Sequence, residues 1–159
     1  MIRPPGRVGG AAARIAVQRI GPGDADRIAE AYWRSYAAAG AGFTRQHARE
    51  DIDRYVDGWH GPPLHDASWL VPAGAQAVGA VLVVRPAPSG PSARGPFVTD
   101  LFVVPERRRR GIGTALMTAA LEAVGDEPVG LRVEPDDVGA RRLYEALGFR
   151  VVGGAEQVG

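Results

Sequence analysis

The 159-residue sequence contains no cysteine, which excludes disulfide bonds, thiolate metal ligands and a cysteine nucleophile together. It also lacks any apolar run long enough to span a bilayer, so we expect no association with a membrane. The formal net charge is only +1, so no strong uniform field attracts the chain to nucleic acid. We expect one domain, because the length suits a single hydrophobic core. We also expect the protein to be cytoplasmic.

The three histidines, His47, His60 and His65, are the imidazoles that the chain offers to a metal ion. His47 lies in an expected helix, and the other two lie in a proline-rich loop. Their spacing matches neither a metal-binding motif nor a catalytic triad. We therefore predict no metal site.

The first fourteen residues are rich in glycine, proline and alanine and have no apolar segment typical of a signal peptide. Residues 1–14 are therefore expected to form a flexible tail. Residues 15–159 are expected to form one domain, since no internal repeat or second boundary interrupts them.

The most informative stretch begins with Val98–Val104, which predicts a short strand because it is rich in β-branched and aromatic residues. Pro105 ends it, and four arginines and Gly111-Ile112-Gly113 lead into a helix with apolar residues at helical spacing. Glycine lets a backbone approach a ligand, the first turn of a helix has unpaired N–H groups, and arginine binds phosphate. The stretch from Arg108 to Thr114 therefore predicts an anion site. A solvated charge run or a nucleic-acid patch would also explain the arginines.

The other periodicities predict elements on both sides of this stretch. Before it we expect a strand at 15–20, a helix from Asp24 to about Ala39, a helix from about Thr44, and antiparallel strands at 68–71 and 78–84. After it we expect a strand at 129–133, a helix capped by Asp137, and a final strand at Phe149–Val152. Residues 85–96 contain four prolines and are expected to be a mobile connection.

The basic glycine loop resembles the acetyl-CoA loop of the GCN5-related N-acetyltransferases (GNAT). The core of that motif, Arg/Gln-x-x-Gly-x-Gly/Ala, is matched by Arg108, Gly111 and Gly113. Many members carry glycine directly after the first arginine, where this chain has Arg109. The resemblance implies that backbone N–H groups from Arg109 to Thr114 hold the pyrophosphate of acetyl-CoA.

A second region is similar to the family pattern Asn-x-x-Ala-x-x-Leu-Tyr-x-x-x-Gly-Phe. It runs from Asp137 through Tyr144 to Phe149, with aspartate in place of the asparagine. Aspartate keeps the capping oxygen but loses the amide donor. The resemblance covers Ile15–Val152 and implies a GNAT fold, an α/β (α+β) domain whose mixed central sheet has six to seven strands and about four helices. The family's last strand is expected to be short, supplied by a partner chain or missing.

The resemblance also implies roles for individual residues. The pantetheine arm of acetyl-CoA is expected to lie where the central strand parts from its parallel neighbour, and a backbone N–H of Phe102 or Val103 is expected to bind the oxyanion. The implied cofactor-binding residues are Leu101, Phe102, Val103, Arg108, Arg109, Arg110, Gly111, Ile112, Gly113, Thr114, Asp137 and Ala140. Tyr144 matches the tyrosine that protonates the leaving thiolate, and the alternative is a half-buried structural tyrosine with its hydroxyl in water.

The sequence leaves the identity of the general base open. Asp100 is the only carboxylate of the central strand, and it would act through water or merely hold a neighbouring strand. The run from Thr99 to Val103 resembles that of diamine and polyamine acetyltransferases, but the acid often invoked there as base falls at Thr99. Glu134 and water alone are the other candidates.

The leading hypothesis is transfer of an acetyl group to a primary amine of a small molecule, favoured by the compact size and by the Asp-Leu-Phe-Val run of the central strand. Aromatic residues beside the expected break between the first two helices, Tyr32, Tyr36 and Phe43, are candidates for the acceptor pocket. A protein lysine or N-terminus as acceptor, and a non-catalytic acyl-CoA-binding module, are the alternatives. The family resemblance alone favours a homodimer.

Overall fold

The computed structural model describes residues 1–4, 15–40, 42–86 and 95–152. They form a six-stranded mixed sheet, in the order β1-β6-β5-β4-β3-β2, with four α-helices. The strands are β1 Ile2–Arg3, β2 Gln18–Arg19, β3 Trp69–Ala73, β4 Gln76–Val84, β5 Phe97–Val103 and β6 Val129–Leu131. The helices are α1 Ala25–Tyr36, α2 Arg45–Val56, α3 Ile112–Val124 and α4 Val138–Ala146. This architecture confirms the predicted fold class.

Neighbouring strands are antiparallel except for β5 and β6, which are parallel and are connected through α3. A parallel pair needs such a crossover, and the helix of the central stretch supplies it. The pair consists of Phe97 opposite Gly130 and Val98 opposite Leu131. Within the described residues, the edge of β5 beyond Val98 therefore has no strand beside it on the β6 side.

Helices α1 and α3 cover opposite faces of the sheet, because successive strand residues point to opposite sides. The ring of Phe102 packs against Tyr32 of α1, with 5.2 Å between the ring centroids. The side chain of the next residue, Val103, lies 4.0 Å from where a Cβ on Gly113 of α3 would be. Strand β4 is buried along nearly its whole length, which explains its continuous apolar sequence.

Side chains fix both ends of α2. The hydroxyl of Thr44 accepts the N–H of His47 at 3.1 Å, and the His47 ring accepts the N–H of Thr44 at 3.4 Å, which forms a reciprocal cap. Near the other end, the Tyr55 hydroxyl donates to Ser68 at 2.8 Å, and the Ser68 hydroxyl accepts the N–H of Val83 at 3.0 Å. This buried network holds α2 against β4 where the pairing of β4 with β5 is irregular.

The predicted helix ends are confirmed for the two C-terminal helices. Asp137 caps α4, since its carboxylate accepts the N–H of Ala140 at 2.9 Å. Gly125 and Gly148 follow α3 and α4 with φ of 75° and 92°, in the left-handed region that favours glycine.

Several strand boundaries differ from the predictions. The strand expected at 15–20 is limited to β2, and the strand expected at 129–133 ends with β6. The final strand expected at Phe149–Val152 is wrong, because that segment makes a single bridge, between Arg150 and Ile2. A longer strand would need a longer partner, and β1 has only two residues.

The flexible tail expected at residues 1–14 is wrong for its first residues. Ile2 and Arg3 pair with Gly130 and Val129 of β6, and the Arg3 guanidinium donates to the Leu147 carbonyl at 2.9 Å. Residues 5–14, most of the predicted mobile connection (87–94), and the C-terminal segment 153–159 lie outside the described residues. Among the helices that the structure describes, none has the length and apolar content needed to cross a membrane.

Candidate active site

The predicted anion loop connects β5 to α3. Arg109 and Gly111 have φ of 62° and 79°, and α3 begins directly after the second of these left-handed residues. The N–H of Ala115 donates to the Gly111 carbonyl at 3.0 Å, which is the first hydrogen bond of α3. The preceding amides, from Ile112 to Thr114, therefore have no carbonyl partner within the helix and can bind an anion.

The start of α3 packs closely against two other parts of the site. A Cβ on Gly113 would lie 3.4 Å from the side chain of Leu143 in α4 and 4.0 Å from that of Val103 in β5. The same helix α4 is capped by Asp137 and includes Ala140, so the predicted glycine motif and the predicted capping motif meet. A Cβ at position 113 would make ordinary van der Waals contacts, so the start of α3 lies directly beside both α4 and β5.

The backbone of β5 directs N–H groups into the gap left by β6. The Val104 N–H donates to the Val78 carbonyl of the β4 side at 2.9 Å, and the register continues without a shift through Phe102. Alternate residues of an antiparallel strand direct their N–H groups to the same neighbour, so the Phe102 N–H faces β4. The N–H groups of Leu101 and Val103 face the gap. Of the two predicted oxyanion donors, the geometry favours Val103.

Asp100 lies where β5 is irregular. It pairs with Leu82, and the register passes over Thr99. Burial raises the pKa of Asp100 to about 7; a side-chain hydrogen bond from Thr99 acts in the opposite direction, and the charge of Asp51 adds to the rise. Asp100 is therefore a carboxyl group that exchanges its proton near neutral pH.

An aromatic wall, which comprises Tyr32, Tyr36 and Phe43, borders Asp100. The Tyr32 ring lies 5.1 Å from Tyr36 and 5.4 Å from Phe43 between centroids, in edge-to-face contacts. Burial, and next the charge of Asp100, raises the pKa of both tyrosines. Tyr36 is still 38% exposed, so the wall borders solvent. The structure thus brings the three predicted acceptor residues together beside the carboxylate.

Tyr144 is more deeply buried than the structural alternative supposed, with 7% of its surface exposed. Its ring lies 5.8 Å from that of Phe149, between centroids. Burial raises the pKa of Tyr144 to about 12, and the charges of Asp137 and Asp100 contribute. Tyr144 also raises the pKa of Tyr36, so both phenols belong to the same site.

The arginines of the loop do not all have the same surroundings. The guanidinium of Arg108 donates to the carbonyl oxygens of Val103 at 3.0 Å and Ser35 at 2.6 Å. Arg109 and Arg110 are exposed, as Arg108 is, but neither makes a side-chain hydrogen bond among the described residues. The contact with Ser35 was not predicted from the sequence, because a bond to a backbone carbonyl of a distant helix leaves no side-chain pattern.

The remaining candidates lie apart from this arrangement. Glu134 is exposed in the turn after β6, where its carbonyl accepts the N–H of Asp137 at 3.1 Å. His47 has the capping role given above. In the part of the chain that the structure describes, no group of three histidine, aspartate or glutamate residues could hold a metal ion.

Together these features suit an extended cosubstrate with phosphates at one end. The amides at the start of α3 suit the phosphates, and the open edge of β5 suits an arm that contains amide groups. The residues present therefore fit acetyl-CoA.

Sequence comparison agrees with this interpretation. The family described as "Acetyltransferase (GNAT) family" matches residues 25–149, and the chain belongs to that family. GNAT acetyltransferases use acetyl-CoA as the cosubstrate.

Individual relatives show how far the similarity extends. The mycothiol acetyltransferase of Clavibacter michiganensis subsp. michiganensis is 39% identical over 67 residues, which are 41% of this chain and 22% of that protein. The chain is thus similar to a minor part of that relative. The PH1933 structure from Pyrococcus horikoshii OT3 has a TM-score of 0.73 at 21% identity, covering 89% of this chain and 92% of that one. The structure of the PaiA N-acetyltransferase of Thermoplasma acidophilum, in complex with coenzyme A, has a TM-score of 0.62 at 16% identity. The match covers 88% of this chain and 92% of that one. At these identities the two structures show a shared fold.

The left-handed backbone of Arg109 predicts an unusual response to glycine. Arg109→Gly should stabilise the protein by about 0.5–1 kcal/mol, because a side chain at positive φ is strained. Arg110→Gly, which removes the same charge outside the left-handed region, should instead cost about 0.5–1 kcal/mol. Urea unfolding measures both, and equal losses in the two variants would contradict the assignment of strain to Arg109.

The raised pKa of Asp100 predicts a pH-dependent stability. The folded state holds this proton more tightly than the unfolded state, so the carboxyl group lowers stability progressively as the pH rises from about 4 to about 7. Asp100→Asn should therefore stabilise the protein at pH 8, by up to about 4 kcal/mol, and change it little at pH 4. Urea unfolding at both values is the measurement, with Asp136→Asn as the charge-matched control in an exposed turn. An equal gain in the free energy of unfolding at both pH values would show that ionisation of Asp100 does not cause the change in stability.

Proposed function

We propose that the protein is an acetyl-CoA-dependent N-acetyltransferase that acetylates a primary amine of a small molecule. The observation that carries the proposal is the open edge of β5, with Asp100 on the same strand and Tyr144 on α4 within range of its charge. The two groups come from different elements, yet the charge of Asp100 contributes to the raised pKa of Tyr144. Transfer from a thioester to an amine needs a proton acceptor at the amine and a proton donor at the sulfur, and this pair supplies both.

The cosubstrate is held mainly by backbone groups. The amides from Arg109 to Thr114 bind the pyrophosphate, supported by the positive end of the α3 dipole. The arm lies against Leu101 and Val103 in the gap between β5 and β6. The N-terminal turn of α4, from Asp137 to Ala140, closes the other side of the gap, since α4 packs on Gly113 through Leu143.

The backbone N–H of Val103 stabilises the oxyanion. It faces the gap, whereas the N–H of Phe102 faces β4. A fixed N–H donor stabilises developing negative charge without reorganisation, which makes it an effective catalytic group.

Asp100 is the general base. Its pKa of about 7 leaves a large fraction ionised at neutral pH while keeping it basic enough to take a proton from an ammonium group through water. Glu134 is exposed in the turn after β6, apart from the aromatic wall. The burial of Asp100 close to Tyr32 and Tyr36 is the observation that favours a catalytic role over that of a structural carboxylate.

Tyr144 is the general acid. Its pKa of about 12 keeps the phenol protonated at neutral pH, so the proton is present when the thiolate leaves. Among the described residues no hydrogen bond to the Tyr144 hydroxyl is found, which leaves the group available for a ligand.

The acceptor is a small cationic amine. The aromatic wall presents ring faces and edges beside Asp100, and rings together with a carboxylate favour an ammonium group. Tyr32 also lies within reach of Asp51, with 3.5 Å between its hydroxyl and the carboxylate oxygen. Carboxylates and tyrosines on three elements thus surround the position of the amine.

The experiment that tests this function is incubation with acetyl-CoA and a pooled amine panel, with products identified by mass. The panel contains polyamines, amino acids, aminoglycosides, and peptides with a lysine or a free N-terminus. All nineteen basic residues of the chain are arginine, so acetylation of its own lysine side chains cannot consume the cosubstrate. A single acetylated small amine supports the proposal. Acetylated peptides alone would identify a protein acetyltransferase, and acetyl-CoA binding without any product would identify a binding module.

Replacement of Tyr144 by phenylalanine tests the acid. Tyr144→Phe should lower kcat at least about tenfold, because proton donation by a placed group contributes this much or more. The KM for acetyl-CoA should change little, since the ring and its packing on Phe149 remain. Tyr36→Phe is the matched control: it also removes a phenol hydroxyl, but it should act mainly on the KM for the amine. An unchanged kcat in Tyr144→Phe would remove the acid role.

A further inference from the structure

The side chain of Arg108 bridges two elements at the edge of the site. Its Nε donates to the carbonyl oxygen of Val103 at 3.0 Å, at the end of β5. Its Nη2 donates to the carbonyl oxygen of Ser35 at 2.6 Å, in the last turn of α1. Ser35 is buried, with 4% exposed, and its own hydroxyl donates to the Ala31 carbonyl at 2.7 Å. Arg108 therefore contacts an ordered part of α1.

A second contact joins the same two regions. Arg34, beside Ser35 in α1, forms a salt bridge with Glu106, which lies in the short 3-10 turn between β5 and the loop. Helix α1 contributes differently to the two contacts. Its Arg34 is the cation of the salt bridge, whereas its Ser35 carbonyl accepts the hydrogen bond from Arg108. The C-terminal turn of α1 is thus attached at two points to the segment that leads from β5 into the loop.

This turn of α1 carries the aromatic wall. Tyr36 follows Ser35 directly, and its ring contacts both Tyr32 and Phe43. Arg108 acts on the pKa of the Tyr36 hydroxyl, which it lowers against the larger effects of burial and of the charge of Asp100. A shift of this turn would therefore move the wall relative to the carboxylate and to the open edge of β5.

The arrangement also suits the electrostatics of α1. The carbonyl groups near the end of α1 carry the negative end of the helix dipole and can accept a second hydrogen bond, although a 3-10 turn at Ala37–Ala39 continues α1 directly. A guanidinium that donates to one of them is stabilised by both effects, and a hydrogen bond from a charged donor is stronger than one between neutral groups. Two of the donor groups of Arg108 are then engaged with protein carbonyls.

We propose that Arg108 is a positioning residue for the acceptor side of the site: it holds the C-terminal turn of α1, and with it Tyr36, against the end of β5. Binding of the phosphates is left to the backbone amides of the loop. The importance of this position for the acceptor rests on the proposed function. The attachment of α1 itself does not, and it can be measured in the protein without ligands.

Hydrogen exchange of the free protein tests the attachment. In Arg108→Gln, the backbone amides of residues 33–39 should exchange about tenfold faster, because a charged hydrogen bond to the helix end is lost. Arg107→Gln is the matched control, since it removes the same charge from the same segment and its exposed side chain lies in the 3-10 turn. Exchange in α3 reports whether the variant remains folded. Equal exchange of residues 33–39 in the two variants would overturn the proposal.

A second variant keeps the test independent of changes at position 108. Glu106→Gln breaks the salt bridge with Arg34 and leaves Arg108 in place, so it should increase the exchange of the same amides by a smaller factor. If the exchange of these amides increases in neither Glu106→Gln nor Arg108→Gln, α1 is held by its packing alone, which contradicts the proposal.

Titration with coenzyme A separates positioning from phosphate binding. The Kd of Arg108→Gln should lie within about threefold of that of Arg107→Gln, since loss of a direct phosphate contact would cost tenfold or more. A tenfold weaker Kd in Arg108→Gln alone would make Arg108 a phosphate ligand and overturn the proposal. If the unmodified protein fails to bind coenzyme A, the proposed function fails, whereas the exchange result still decides the attachment of α1. With an acceptor identified, Arg108→Gln should raise the KM for the amine more than the KM for acetyl-CoA.

Discussion

The parting of β5 from β6 is the constraint on which the rest of the site depends. The two strands pair at Val98 and Leu131 and no further, so the backbone of β5 beyond that point has an open edge. Buried N–H and carbonyl groups require partners. The Val103 carbonyl accepts from Arg108, whereas the N–H groups of Leu101 and Val103 have no partner among the described residues and are available to a ligand. Because α3 begins just after the same strand, its free amides lie at one end of this edge. A strand edge and a helix start thereby form one extended surface, which we propose as the cosubstrate site.

The irregular pairing of β5 with β4 determines the position of Asp100, the proposed base. Thr99 is passed over by the register, and Asp100 lies near Tyr32 and Tyr36, where burial raises its pKa to about 7. The hydroxyl network of Ser68 holds β4 opposite this position through its bond to the N–H of Val83. The carboxyl group is thus buried, at an energetic cost, where the surrounding packing fixes the backbone. Perturbed pKa values of this kind are common at functional sites.

Much of the fold and some of the site could be predicted from the sequence, because local patterns determine them. The helix cap of Asp137 and the turn at Gly111 depend on a few adjacent residues, and the structure agrees with both. The final strand could not be predicted, since an apolar run does not reveal whether a neighbouring strand is long enough to pair with it. The pairing of Ile2 with β6 and the bond from Arg108 to α1 join residues far apart in the chain, and no local pattern indicates such contacts. Aromatic residues alone likewise gave no measure of how deeply Tyr144 would be buried.

The most direct test of this account is a titration of the 15N-labelled protein with coenzyme A, followed by two-dimensional NMR of the backbone amides. The account predicts that the largest shift changes fall on two groups, Leu101 and Val103 of β5 and Ile112–Thr114 of α3, because these N–H groups face the gap or begin the helix. Changes confined to other parts of the chain, or no change at saturating coenzyme A, would contradict the assignment of the open edge and the loop as the cosubstrate site.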